Sequence, residues 1–536
     1  MSCADNLKRL RARWLHLESL NLDLDASGAS LDDKFLAANA LPMQRAFDEM
    51  AALEEGAIAN PDENRKVGHY WLRDPQSAPT PELRDRIRKT IARLEQFAGD
   101  LRSGRVTPPT SPRFTDFLLI GVGGSALGPQ LLTDALERAP DGLTPHFLDN
   151  TDPDGFDRTL AALDGRLHQT LLLVISKSGG TIETRNAMLE AEAAYRRRGL
   201  DVGPHAVAVT SDGSALADHA LRQAYLTTFP MWDWVGGRTS LTSAVGLLPA
   251  ALAGIPVREL LEGARLMDQA TRRRDPSANP AALMALVWYN EGGGRGRRAM
   301  VLLPYKDRLL LLPRYLQQLV MESVGKAENR AGLLVEQKLL VYGNKGSTDQ
   351  HAFVQQLRDG PRDFFLTFVQ VRRDRAGASL EVEPGVTSGD YLHGFMLGTR
   401  RALAEKRRST VTLSLPDLSA RSLGALVALF ERAVGLYAAL IDINAYNQPG
   451  VEAGKLAASE IIALQRRILA TLRAAAGAPL APLEVARRIS ACEHLGEIYF
   501  LLRHLAASEH HPVEELYSPE PLSSLYRVID SSDASC

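Results

Sequence analysis

The chain repeatedly places a short apolar run before a loop of glycines and hydroxyls and then a helix-forming stretch, and few folds accommodate that order. Phe117 to Ile120 leads into glycines and the helical stretch Leu127 to Leu136. Leu171 to Ile175 leads into Ser176-Lys177-Ser178-Gly179-Gly180-Thr181 and a helix expected from about 181 to 198, and Ala206 to Thr210 is a third run. Strand, loop, helix, strand in this order predicts parallel α/β structure with right-handed crossovers. A second such block begins near residue 280, with strands expected at 299–303, 339–342, 364–371 and 411–415 and a helix from Asp307 to Ser323. Long helices are expected at roughly 418–440 and 455–475, and the tail from 480 reads as helical.

A chain of 536 residues is too long for one ordinary hydrophobic core, so two or more domains are expected. The first hundred residues read as mainly helical: Leu7, Leu10, Trp14, Leu15 and Leu17 suggest an amphipathic start, and Pro81 to Leu101 is a charged, periodic helix. Thr107 to Pro112, with its prolines, reads as a linker. Lys plus Arg (62) nearly balances Asp plus Glu (64), which gives no electrostatic case for nucleic acid as the main partner and leaves room for a local basic pocket. The cysteines Cys3, Cys492 and Cys536 form neither a disulfide framework nor a metal-ligand spacing, and a reducing cytoplasm is the expected setting. The N-terminus has no apolar core of a secretory signal. The uncharged stretch Thr239 to Val257 carries Pro249, Pro256 and four Ser/Thr, so a buried segment is expected there and not a membrane span.

Several loops combine residue types that bind anions or move protons. Gly121, Gly123, Gly124 and Ser125 follow a strand and open a helix, where glycines let amides approach a ligand and the helix dipole favours an anion. The spacing is neither a P-loop nor G-x-G-x-x-G, and a plain tight turn has the same composition. Residues 176–184 hold four hydroxyls, one Lys and two glycines, a set suited to phosphate. A helix cap at Thr181 is the simpler alternative, but a cap needs only one hydroxyl. Arg238, after Gly236 and Gly237, can meet a phosphate or a developing oxyanion, or lie in a surface turn. Gln318 and Glu322 share a face of a strongly apolar helix, where a carboxylate must be paired or desolvated, as suits a general base; Glu322 with Lys326 is equally an i, i+4 ion pair. His351 follows a polar, glycine-containing loop and suits an acid near neutral pH, or simply starts a helix. Lys455, at a glycine-flanked helix start, is a solvated charge on its own terms.

Taken in order, Gly121 to Pro129, Ser176 to Thr184, Val235 to Ser240, Gln318 to Lys326, Gln350 to Phe353 and Glu452 to Lys455 closely resemble the motifs of the glucose-6-phosphate isomerase family, in a bacterial form. The resemblance implies α/β architecture with two sugar-isomerase (SIS) three-layer sandwich domains on parallel sheets, an N-terminal helical segment and a C-terminal helical arm. It divides the chain as 1–106, 107–275, 276–475 and 476–536. It implies reversible isomerisation of glucose 6-phosphate and fructose 6-phosphate through ring opening and a cis-enediolate, with no metal or organic cofactor. By motif, Ser176, Lys177, Ser178 and Thr181 match the family's phosphate loop, Gly124 and Ser125 its sugar-contacting turn, and Gln318 a sugar contact. Glu322 matches the base between C1 and C2, Arg238 the cation that steadies the enediolate, and His351 with Lys455 the ring-opening pair. The family also implies a homodimer in which His351 comes from the neighbouring subunit, and neither a nucleic-acid nor a membrane partner. Ser178-Gly179-Gly180 stands where many relatives carry Thr-Phe-Thr, so a more open loop with wider choice, including mannose 6-phosphate, is one alternative. Tyr446-Asn447-Gln448-Pro449 replaces the more usual aromatic-rich approach to Lys455. A non-catalytic phosphosugar-binding protein is the other alternative, and the joint presence of Glu322, Arg238 and His351 argues against it.

Overall fold

The computed structural model describes residues 3–529; the side chains of residues 5, 6, 9, 451–453 and 455 lie outside that description. The chain forms two compact units, residues 1–447 and 448–536.

In the first unit, five parallel strands make one sheet in the order Thr144–Leu148, Asp116–Ile120, Thr170–Ile175, Ala206–Thr210 and Thr227–Pro230. Its central strands are apolar at nearly every position because both faces are covered. Successive side chains point to opposite faces, so Leu171, Leu173 and Ile175 enter one core while Leu172 and Val174 enter the other. Each such fully buried Leu, Ile or Val contributes roughly 1.5–3 kcal/mol.

The second sheet has the order Trp14–Leu17, Leu22–Gly28, Thr410–Leu415, Phe364–Val371, Ala299–Tyr305 and Val341–Tyr342. The last four strands are parallel, and the first two join antiparallel. The N-terminal segment, expected to be mainly helical, also contributes this hairpin to the sheet. Leu22-Asp23-Leu24-Asp25 alternates with the period of a strand, and its hairpin covers what would otherwise be the exposed edge of Thr410–Leu415. Helices Val257–Thr271, Pro280–Gly292 and Ala420–Leu440 fill the space against this sheet. Ala420–Leu440 is long and apolar enough to cross a membrane, and 89% of its apolar window is buried in the core.

The helix expected from Asp307 to Ser323 is broken. A 3₁₀ turn at Asp307–Leu309 precedes an α-helix at Leu312–Leu316, with Pro313 in its first turn, and a π-helical segment at Gln317–Glu322. Pro313 lacks an N–H and so restarts the helix instead of continuing one. The second unit holds helices Pro449–Ala474, Pro482–Arg488 and Leu495–Ala507 around buried Ile468, Leu472, Val485 and Leu502. Its tail also forms a hairpin, Val513–Leu516 with Leu525–Val528, where only helix was expected.

Beneath the second sheet's helices lies a buried ionic network. Arg73 donates Nε and Nη2 to the two carboxylate oxygens of Asp268 at 2.6 and 2.9 Å, and Arg432 Nε donates to Asp268 at 3.0 Å. Glu431 accepts from Arg73 Nη1. Burial pushes the Glu431 carboxyl up, whereas for Asp268 the same burial is outweighed by Arg73 and Arg432, which hold it below the usual carboxylate range. Removing one partner of such a set leaves uncompensated charge in the core. Asp268→Ala is expected to lose roughly 3–5 kcal/mol of stability, seen as a lowered thermal midpoint. Lys89→Ala, which removes an exposed i, i+4 pair with Asp85, is expected to change stability by less than about 1 kcal/mol.

Candidate active site

The order in which the chain adds strands to this parallel sheet reverses between Asp116–Ile120 and Thr170–Ile175. In open α/β sheets ligands bind in the crevice at that point, beyond the carboxyl ends of the strands. The two loops leaving these strands are Gly121–Gly123 and Ser176–Thr181. The helices that follow them, Gly124–Ala135 and Ile182–Arg197, start without a side-chain cap. The helices that start after the neighbouring strands are capped, by Asp152 and Ser214. No side chain takes the first-turn amides of Ile182–Arg197, whereas in Gly124–Ala135 Ser125 N and Ala126 N donate to Val122 O and Gly123 O; the helix dipoles favour an anion at both starts. Thr181 occupies the cap position of Ile182–Arg197 but does not make the cap bond, which removes the simpler explanation of its hydroxyl.

Within the Ser176–Thr181 loop, Ser176 Oγ accepts from Gly179 N and Ser178 Oγ from Gly180 N, both at 3.1 Å. Each hydroxyl thus uses a lone pair on the loop and keeps its O–H to donate outward. Gly179 has φ +71°, and a Cβ there would meet the Leu216 amide nitrogen at 2.3 Å. Gly179 is therefore required by packing, whereas a Cβ on Gly180 would meet only Ser178 Oγ, at an ordinary 3.5 Å. Lys177 donates Nζ to Asp233 O at 2.9 Å and Val235 O at 3.2 Å, tying the loop to the turn before Arg238. Burial, and then Arg65, push the Lys177 ammonium down to about 8.

The other loops meet there. A Cβ on Gly124 would lie 1.9 Å from Gly237 O, so only glycine permits this approach. Ser240 Oγ donates to Gly124 O at 3.4 Å. Ser125 sits in the same turn, its amide donating to Val122 O at 3.2 Å. Gln318 is next to Gly123: a Cβ on that glycine would lie 3.0 Å from Gln318 Nε2.

Arg238 is buried, and its guanidinium is shared. Nη1 lies 3.2 Å from Glu322 Oε1, while Nη2 donates to Ala445 O at 2.9 Å and Asn447 O at 2.7 Å. Burial lowers the Arg238 pKa, and Glu322 works against that shift. The second carboxylate oxygen, Glu322 Oε2, is buried with no hydrogen-bond partner. The expected Glu322–Lys326 pair takes another form: Lys326 Nζ donates to the backbone carbonyl of Glu322 at 2.8 Å. The π-helical turn that carries Gln318 and Glu322 is a distortion found often at functional sites.

These contacts bring Gly124, Arg238, Gln318 and Glu322 together, with Ser125 in the same turn as Gly124, and Lys177 ties the loop of Ser176, Ser178 and Thr181 to the turn before Arg238. His351 is not joined to them by any hydrogen bond or ion pair among the described residues; it is exposed at the end of the 3₁₀ turn Thr348–His351. Its loop is anchored by Gln350 Nε2, which donates to Phe395 O at 3.1 Å. Lys455 is on the helix Pro449–Ala474 of the second unit, and its side chain falls outside the described residues. Two neighbours, Glu63 and Arg65, escaped the sequence reading, and Lys326 was read there only as an ion-pair partner of Glu322. Lys326 is buried close enough to Arg238 for that charge to help burial push it down to about 8. Glu63, in the 3₁₀ turn Pro61–Glu63, and Arg65, in the short strand after it, act on Lys177. The turn signal Asn60-Pro61-Asp62 was visible in the sequence, but nothing local links it to residues more than a hundred positions away.

The sequence profile of the family described as phosphoglucose isomerase matches residues 27–382 and 396–469. The chain is 58% identical to a glucose-6-phosphate isomerase of Geobacter sulfurreducens over 522 residues, covering 97% of this chain and 98% of that protein. It is 56% identical to one from Acaryochloris marina, covering 92% and 94%. The solved glucose-6-phosphate isomerase of Chlamydia trachomatis superposes with a TM-score of 0.77 at 28% identity, covering 85% of this chain and 91% of that one. Matching along most of its length in both sequence and fold, the chain belongs to the phosphoglucose isomerase family.

Proposed function

We propose that this protein interconverts D-glucose 6-phosphate and D-fructose 6-phosphate through a cis-enediolate, with the crevice between the two loops as its active site. The observation that carries this reading is Glu322, whose Oε1 faces Arg238 while Oε2 is buried without a partner. A desolvated carboxylate oxygen beside a fixed cation can take a proton while the cation steadies the charge that develops.

The sugar's phosphate rests on the hydroxyls of Ser176, Ser178 and Thr181, the Lys177 ammonium and the free amides of the helix start. Gly124, Ser125 and Gln318 hold the sugar chain. Once the ring is open, Glu322 takes the proton from C2 and returns it to C1, and Arg238 balances the enediolate oxygens. The phosphate, remote from the reacting carbons, contributes binding energy that orients them. His351 and Lys455 open the ring.

A homodimer belongs to the same proposal, with His351 reaching the neighbouring subunit's crevice. It is supported by the exposure of His351 and by an apolar patch beside it: Leu380, Val382, Tyr391 and Phe395 are 80%, 48%, 40% and 46% exposed. Exposed apolar patches mark interaction surfaces. A cytoplasmic setting also belongs here, supported by the free, exposed thiols Cys3 and Cys492.

Glu322→Gln is expected to lower kcat by about 10²–10⁴-fold while sugar-phosphate binding survives; near-native turnover removes Glu322 as the base. If His351 acts across subunits, co-refolding Glu322→Gln chains with His351→Ala chains is expected to restore up to about a quarter of native activity, since one site in each mixed dimer is complete. If His351 serves its own chain, no activity returns. Lys177 is charged below about 8 and neutral above it, so kcat/KM is expected to fall as pH rises through that value. Lys177→Arg should remove this fall, which separates it from any contribution of Lys326.

A further inference from the structure

We infer that Asp62, on the N-terminal turn Pro61–Glu63, is a positioning residue that holds the Arg238 guanidinium in its working orientation through the strap 444–447. The inference rests on the role proposed above for Arg238.

Among the partners described for Arg238, Nη2 rests on two carbonyls of a non-helical segment, Ala445 O and Asn447 O. The strap follows the end of the helix Ala420–Leu440, where Asp442 takes a left-handed φ of 57°, so no helical hydrogen bonds fix it in place. The Asn444 and Asn447 side chains are held by the N-terminal turn, while Tyr446 is partly buried against Tyr70. Asn444 Nδ2 donates to Asn60 Oδ1 and to Asp62 Oδ2, each at 2.9 Å. Asn447 Nδ2 donates to the same Asp62 oxygen. Asn444 Oδ1 in turn accepts from Tyr446 N at 2.9 Å, and Asn60 Nδ2 donates to Tyr446 O at 3.4 Å.

The strap therefore has two sides. Its carbonyls at 445 and 447 hold the cation, and its side chains at 444 and 447 hold the turn. Asn447 is common to both sides, since its carbonyl accepts from Arg238 and its amide donates to Asp62. Hydrogen bonds to an ionised acceptor are about twice as strong as neutral ones, so Asp62 is the firmest point of this linkage. Asp62 is itself exposed. A purely structural surface residue of this kind changes stability by about 0.5 kcal/mol or less when replaced, whereas a misplacement of about 1 Å at a reacting centre can cost on the order of 10²-fold in rate.

Asp62→Ala is expected to lower kcat about tenfold or more, with KM within about twofold and an unchanged thermal midpoint. Asp62→Asn keeps an oxygen that accepts both Nδ2 groups, so it should restore near-native kcat; Asn444→Ala, an independent break in the same linkage, should repeat the loss. In an Arg238→Ala background, Asp62→Ala should cost nothing further, because the group being positioned is gone. Native kcat in Asp62→Ala, an equal loss in Asp62→Asn, or an additive loss on Arg238→Ala would overturn the inference. Native activity in Arg238→Ala alone would instead overturn the role of Arg238 itself, so the two failures are told apart.

Discussion

The site depends on one buried ion pair with an unequal partner. Arg238 divides its guanidinium between Glu322 and two backbone carbonyls, and Glu322 keeps one oxygen without a hydrogen bond. A pair built only for stability would satisfy both oxygens, because a buried, unmatched carboxylate oxygen costs about 1–3 kcal/mol. In the proposed reaction this oxygen is the one that takes the substrate proton. The same region holds Lys177 and Lys326, both pushed down to about 8, first of all by burial. Three cations gathered in a desolvated crevice oppose folding, and they make sense together where an anionic ligand supplies the missing charge.

The sheet topology explains why this crevice and no other. The strand order reverses between Asp116–Ile120 and Thr170–Ile175, so the two loops leaving those strands diverge and open a gap. Side-chain caps close the helix starts after the neighbouring strands and are missing at the gap. Gly124 lets the Arg238 turn come close, Lys177 ties that turn to the loop Ser176–Thr181, and the π-helical turn delivers Gln318 and Glu322 from the second sheet's side.

Much of this was legible in the sequence because it is local. The runs 117–120, 171–175 and 206–210 are strands since continuous apolar residues suit a sheet buried on both faces, and the hydroxyl-rich loop sits where such a loop must sit. The misreadings came from competition between local signals. Trp14, Leu15 and Leu17 were grouped with a helical stripe, although the alternating Leu22 to Asp25 nearby marks a hairpin that the sheet edge captures. The apolar stretch from 307 to 323 concealed the restart at Pro313 and the π turn beyond it. The support of Arg238 by residues 445 and 447, and of that strap by residues 60 and 62, was illegible for another reason. It depends on pairs separated by hundreds of residues, and a single sequence carries no signal of them.

Whether the unpartnered oxygen of Glu322 moves the proton is read most directly from exchange at C2. Glucose 6-phosphate incubated with the enzyme in D₂O should take up deuterium at C2, followed by NMR, at a rate that collapses in Glu322→Gln while sugar-phosphate binding is retained. Exchange at the native rate in that variant would contradict the account.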